Sequence, residues 1–129
     1  LKFYRISEPT DICLIKLKEL CCFEEIVHKI PITPKPHCVP NNCFNNVARY
    51  VSEYGGEQVY GWYFITSIDD ENDGTAISHS IWKKGGKLID ITPHNDSREY
   101  NLFAEKLNLE TEVEYYNYIN TIVCSIVYV

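Results

Sequence analysis

Residues 79–93 read His79-Ser80-Ile81-Trp82-Lys83-Lys84-Gly85-Gly86-Lys87-Leu88-Ile89-Asp90-Ile91-Thr92-Pro93. Two short runs rich in β-branched and aromatic residues flank a Lys-Lys-Gly-Gly turn, and Pro93 closes the second run. The pattern predicts an antiparallel hairpin with strands over 76–82 and 87–91. A polar residue interrupts each strand: His79 shares a face with Ile77 and Ile81, and Asp90 stands between Ile89 and Ile91. A carboxylate buried among isoleucines requires a partner. A turn centred on Lys84-Gly85 supplies one, because it sets His79 directly opposite Asp90 with Cβ atoms roughly 4.5–5.5 Å apart. Ile81 then pairs with Leu88 and keeps the rest of that face apolar.

Working outward, the segment before the hairpin continues the sheet. Gln58 to Ile65 (QVYGWYFI) is a strand, and Asp69 to Gly74 (DDENDG) is an exposed acidic turn whose spacing does not fit a calcium loop. Upstream, Asn41-Asn42-Cys43-Phe44 opens a helix in which Phe44, Val47, Ala48, Val51 and Tyr54 form one stripe. Asn41 or Asn42 can cap its first turn, and Gly55-Gly56 ends it. Pro31, Pro34, Pro36 and Pro40 exclude helix from residues 31–40, which read as an extended strap. Residues 1–30 read as mostly helical, with Ser7, Pro9, Thr10 and Asp11 as start signals and a stripe of Ile12, Leu14, Leu17, Leu20 and Cys21. Beyond the hairpin, Ser97 to Asn108 reads as a short helix with Tyr100, Phe103, Ala104 and Leu107 on one face. Glu112 to Tyr118 and Ile122 to Val129 read as strands. The expected fold is α+β, with N-terminal helices on a mostly antiparallel sheet. The expected organisation is a single domain over 1–129: a helical region 1–30, the strap 31–40 and a core 41–129.

Composition narrows the function classes. A chain of 129 residues with 45% hydrophobic content sustains one core and is not a disordered or low-complexity protein. Its net charge of -6 argues against broad contact with nucleic-acid backbone, and no apolar run is long enough to span a bilayer. The six cysteines include an adjacent pair, Cys21-Cys22, and an isolated Cys124, which does not resemble a disulfide framework. Reduced thiols in a cytoplasmic or intracellular setting are expected, with a secreted form after leader removal as the alternative. A start at Leu1 fits a processed chain, and equally a piece of a larger protein.

The His79–Asp90 pair has the form of a general base with its orienting carboxylate. Cys43 suits the role of nucleophile, since free amides and the helix dipole at a helix start favour a thiolate. Its own backbone N–H can face a developing oxyanion, with Asn41, Asn42 or Gln58 as second donor. Tyr60 and Trp62 are candidates for a substrate groove, whereas Tyr63 points the other way by alternation. Trp82 lies on the face opposite His79. His28 and His94 read as surface residues. Gly55-Gly56 and Gly85-Gly86 are stop and turn glycines, not a phosphate loop, and no nucleotide or nicotinamide cofactor is implied.

The segment from His79 to Pro93, with Cys43 opening a helix upstream and Gly55-Gly56 and Gly61-Trp62 between, resembles the transglutaminase-like branch of the papain-like cysteine hydrolases. The resemblance implies a papain-like core and a Cys43, His79, Asp90 triad. A protein or peptide substrate is expected, and no cofactor. The expected function is a small cysteine-dependent hydrolase or acyl-transferase acting on peptide or glutamine-type amide bonds. Two alternatives stand beside it. One is a non-catalytic protein-interaction domain of the same fold. The other is a zinc-stabilised module drawing ligands from Cys21, Cys22, His37 and Cys38, with Cys43 nearby; adjacent rather than CxxC-spaced cysteines make that set irregular.

Overall fold

The computed structural model describes residues 3–21, 27–96, 98–106, 116–119 and 122–127. In chain order the elements are β1 (Tyr4–Ile6), α1 (Ile12–Cys21), β2 (His28–Pro31), α2 (Cys43–Tyr54), β3 (Glu57–Ser67), β4 (Asp73–Lys84), β5 (Lys87–Ile89), β6 (Tyr100–Glu105), β7 (Tyr116–Ile119) and β8 (Ile122–Val127). This is an α+β fold with a mostly antiparallel sheet. Among the described residues β4 pairs with β8 in parallel, and a parallel bridge links Ile32 and Asp90.

The sheet is built around the long β3–β4 hairpin, paired from Glu57↔Lys83 to Thr66↔Gly74. Each outer edge of this hairpin is shared. Along β3, β6 pairs with residues 61–63 and β1 with residues 65–67. Along β4, β8 pairs with residues 73–77 and β5 with residues 82–84. Among the described residues, 78–81 of β4 therefore lie between two partner strands without a ladder partner on that edge, and His79 is one of them.

Three apolar clusters hold the layers together. Leu14 and Leu17 of α1 pack on Trp62, Phe64, Ala76, Leu102 and Ala104. Ile30, Val59, Ile81 and Phe103 fill the other face of the central strands, with Leu88 against them. Val47 and Tyr50 of α2 pack on Trp82 and Ile91. Hydrogen bonds from Trp82 Nε1 to Gly55 O (2.9 Å) and from Gln58 Nε2 to Phe44 O (3.0 Å) clamp both ends of α2 to the hairpin.

Several sequence expectations need correction. Residues 1–30 are not mostly helical, because α1 is flanked by β1 and β2. Within α1, Cys13, Leu14 and Leu17 are buried while Ile12 is exposed; the expected continuation over 22–26 lies outside the described residues. The buried stripe of α2 is Cys43, Asn46, Val47 and Tyr50, displaced from the expected one. Asn46 enters it because it is fully hydrogen-bonded: Nδ2 donates to Val39 O (2.9 Å) and Thr92 Oγ1 (3.1 Å), and Oδ1 accepts from Val39 N (3.3 Å). The helix expected from Ser97 is strand β6 over Tyr100–Glu105, buried along most of its length. Ser97, Leu107 and Asn108 lie outside the described residues, as do 112–115 of the next expected strand and 128–129 of the last.

The strap is structural. Ile30 and Pro31 already belong to β2, and the strap then runs beside the segment that follows β5. Thr33 N donates to Asp90 O (2.8 Å) and Lys35 N to Ile91 O (3.2 Å). No helix among the described residues is long and apolar enough to cross a membrane.

Candidate active site

Four parts of the chain converge beside residues 78–81 of β4. That strand supplies His79, the start of α2 supplies Cys43, the residue after β5 is Asp90, and β6 contributes Asn101. Cys43, His79 and Asp90 are at most 4% exposed, and Asn101 is fully buried.

The turn is the two residues Gly85-Gly86, with Lys84↔Lys87 and Trp82↔Ile89 paired around it. Both glycines have positive φ (59° and 74°), as a tight hairpin turn whose twist matches its strands requires. The expected register is therefore wrong by two positions: Leu88 pairs with Lys83, not Ile81, and Asp90 has left the ladder. A two-residue shift preserves which face each side chain occupies. Asp90 consequently still reaches His79, with Oδ2 accepting from Nε2 at 2.9 Å. Cys43 lines the same pocket as this imidazole, and its sulfur acts on the ring electrostatically.

Asp90 is held from three sides. The strap grips its backbone, His79 meets its side chain, and Asn101 Nδ2 donates to the same Oδ2 at 3.1 Å. Asn101 also donates to His94 Nε2 (3.2 Å) and accepts from Arg98 Nη1 (3.1 Å). Arg98 is itself forked onto Asp96 (2.8 and 2.7 Å). Tyr63 stands edge-on to His79 and His94, with ring centroids 5.1 and 5.7 Å away. A pocket of about 260 Å³, including its mouth, opens over this group and is lined by Asn41, Cys43, Tyr63, Ser78, His79, Thr92 and His94.

Electrostatics separates the two histidines. Burial disfavours a charged His79, but the Asp90 carboxylate and the Cys43 sulfur outweigh it and lift the ring to about 9. Burial also works against the Asp90 carboxylate, yet His79 and Asn101 hold it below the usual range. His94 moves the other way: burial, then the Arg98 guanidinium, push it down to about 4, so it is neutral at physiological pH.

The expected site residues divide. Cys43, His79 and Asp90 come together, and Asn41 joins them at the pocket wall, in the left-handed region with φ 59°. Asn42 precedes α2 without making a side-chain cap; its Oδ1 accepts from Asn45 Nδ2 (2.9 Å) instead. Gln58 is no oxyanion donor, because its two amide hydrogens serve Phe44 O and Ser80 Oγ. Trp62 is not a groove residue; it is buried at 2% exposure beneath α1, and Tyr60 stacks on Phe44. Tyr63, from the opposite face, lines the pocket in their place.

Of the zinc alternative, Cys22 lies outside the described residues. His37 is exposed, and Cys38 is half-buried against the α2 cluster. Neither belongs to a metal-capable group among the described residues; the one such group is His79, Asp90 and His94. His94, Asn101 and Arg98 are missed by the sequence reading. His94 was expected at the surface, and the other two lie at or before a strand mistaken for a helix. Their only sequence signal is polar residues beside an apolar run, which is too common to single them out.

No family model, no curated protein and no solved structure matches the chain.

Proposed function

We infer that the chain is a small cysteine-dependent hydrolase or acyl-transferase acting on amide bonds of protein or peptide substrates. The observation that carries this reading is the nearly buried His79–Asp90 pair beside Cys43, with His79 and Cys43 lining one pocket. The resemblance of residues 43–93 to the transglutaminase-like branch of the papain-like hydrolases supports it, and a papain-like core is part of the proposal.

The chemistry follows from the placement. Cys43 Sγ, as a thiolate beside the His79 imidazolium that Asp90 steadies, attacks the substrate carbonyl carbon. The C–S bond forms while the carbonyl oxygen becomes an oxyanion. The first-turn amide of α2 at Cys43, which has no intrahelical acceptor, and the Asn41 side chain are the donors for that charge. Collapse breaks the C–N bond, and the leaving amine takes the proton from His79. The thioester left on Cys43 is resolved by water, giving an acid, or by a second amine, giving a new amide.

The test is incubation with glutamine-containing peptides, with and without a primary amine, followed by intact-mass analysis. An acyl adduct on Cys43, absent from Cys43→Ser, is expected, with ammonia or amine released in equal amount. Absence of adduct and product across a broad peptide set, for a protein with correct secondary structure, would favour a binding domain.

A further inference from the structure

Two groups at this site have no task in the thiol chemistry. His94 lines the pocket, half-buried, and no step of acyl transfer requires it. Asp90 Oδ1 is buried with no hydrogen-bond partner among the described residues, since Oδ2 serves both His79 and Asn101.

Both belong to a second donor set. One ligand atom each from His79, Asp90 and His94 lies within 4.8 Å of the others. Two imidazoles and a carboxylate, with water in a fourth position, are a ligand set of four-coordinate zinc, at bond lengths of about 2.0–2.2 Å, so the three atoms need to close on a shared centre by less than about 1 Å. Arg98, whose charge acts on His94, is paired with Asp96 by two hydrogen bonds.

We propose that the pocket also takes a divalent transition-metal ion, on His79, Asp90 and His94 with water completing the coordination, and that the bound ion switches the thiol off. The ion replaces the His79–Asp90 hydrogen bond and the bond from Asn101 to His94, and His79 releases a proton to solvent. Base and orienting carboxylate both become ligands, so metal occupancy and acyl chemistry exclude one another. Paired imidazoles select zinc-like ions over magnesium or calcium. The binding half of the proposal stands on geometry alone; the switch rests on the thiol reading above.

The experiment uses the 129-residue chain, reduced and stripped of metal with a chelator. It is titrated with Co²⁺ while visible absorption is followed. One equivalent in a tetrahedral spectrum is expected, in Cys43→Ser as in the wild type. His94→Ala and His94→Gln, each checked by circular dichroism, should weaken Co²⁺ binding at least about 10- to 100-fold, the loss seen when even a group supporting a ligand is removed. Stoichiometric Zn²⁺ should block alkylation of Cys43, and chelator should restore it; the His94 variants should need correspondingly more Zn²⁺. A wild-type chain without the tetrahedral spectrum, or undiminished affinity in both His94 variants, overturns the proposal. A chain whose Cys43 reacts fast but that binds no Co²⁺ removes the metal site and leaves the thiol reading standing. A chain that binds Co²⁺ but whose Cys43 is inert in stripped protein removes the thiol reading and the switch with it.

Discussion

Asn101 is the residue through which the site is fastened to the sheet. It is wholly buried, gives one amide hydrogen to Asp90 and another to His94, and has its oxygen fixed by Arg98. Asn101→Ala leaves the buried Asp90 carboxylate with His79 as its one hydrogen-bond partner among the described residues. A cost of about 1–3 kcal/mol is expected, the penalty for stranding a buried polar group. Urea denaturation measures it, and an unchanged midpoint would mean that Asn101 is not part of the support. Arg98→Lys should act in the same direction, because an ammonium cannot reproduce the forked pairing with Asp96. At this scale the sequence was half legible. His79 and Asp90 could be paired because face parity survives a two-residue register error. Asn101 could not be found, since its importance comes from contacts with residues 90, 94 and 98 that form only once β6 is a strand.

Among the elements, the β3–β4 hairpin and the strands that border it decide where the site falls. Gly61 is where β6 crosses closest: a Cβ there would sit 2.2 Å from Ala104 O and 2.4 Å from Phe103 Cζ. Gly61→Ala must therefore push β6 from β3, and with it Asn101. A loss of about 1–3 kcal/mol is expected, as for other overpacked sites, visible as a melting temperature several degrees lower. An unshifted melt would contradict the close approach. The segment Tyr100–Glu105 defeated sequence reading for a physical reason. Tyr100, Phe103 and Ala104 sit at spacings that suit a helical stripe, whereas a strand buried on both faces shows no alternation to betray it. The hairpin strands, by contrast, were legible from β-branched and aromatic enrichment bounded by glycines.

For the whole molecule, the two histidines set opposing pH limits in metal-free protein. His79 titrates at about 9 in the fold against an ordinary 6.5, so the folded state holds its proton more tightly. The stability gained is complete below about pH 6.5 and is lost as pH rises through about 9. His94 is depressed from 6.5 to about 4, so below 6.5 the unfolded chain takes up a proton that the fold refuses, and stability falls as pH drops toward 4. Asp90, lowered by His79 and Asn101 against its burial, steepens the loss at the acid end. Melting temperature with chelator present should therefore peak near pH 6.5. His94→Gln should flatten the acid limb, and His79→Gln the alkaline one. A profile that is level from pH 5 to 9 would deny both shifts. The strap belongs to this scale as well. It ties Asp90 and Ile91 to Thr33 and Lys35, and through Asn46 it ties Val39 and Thr92 to the helix carrying Cys43. Its prolines announced an extended path; that the path fastens the nucleophile helix to the Asp90 segment was legible only in three dimensions.

The central claim is that Cys43 and His79 act as one unit. Alkylation by a small haloacetamide, mapped residue by residue by mass spectrometry on folded, metal-free protein at pH 6, tests it directly. An ordinary thiol carries only about 0.3% thiolate at that pH. Cys43 is expected to react at least about tenfold faster than any of the other five cysteines, and to lose that advantage in His79→Ala. A Cys43 that reacts no faster than an ordinary thiol, or equally fast without His79, would contradict the account.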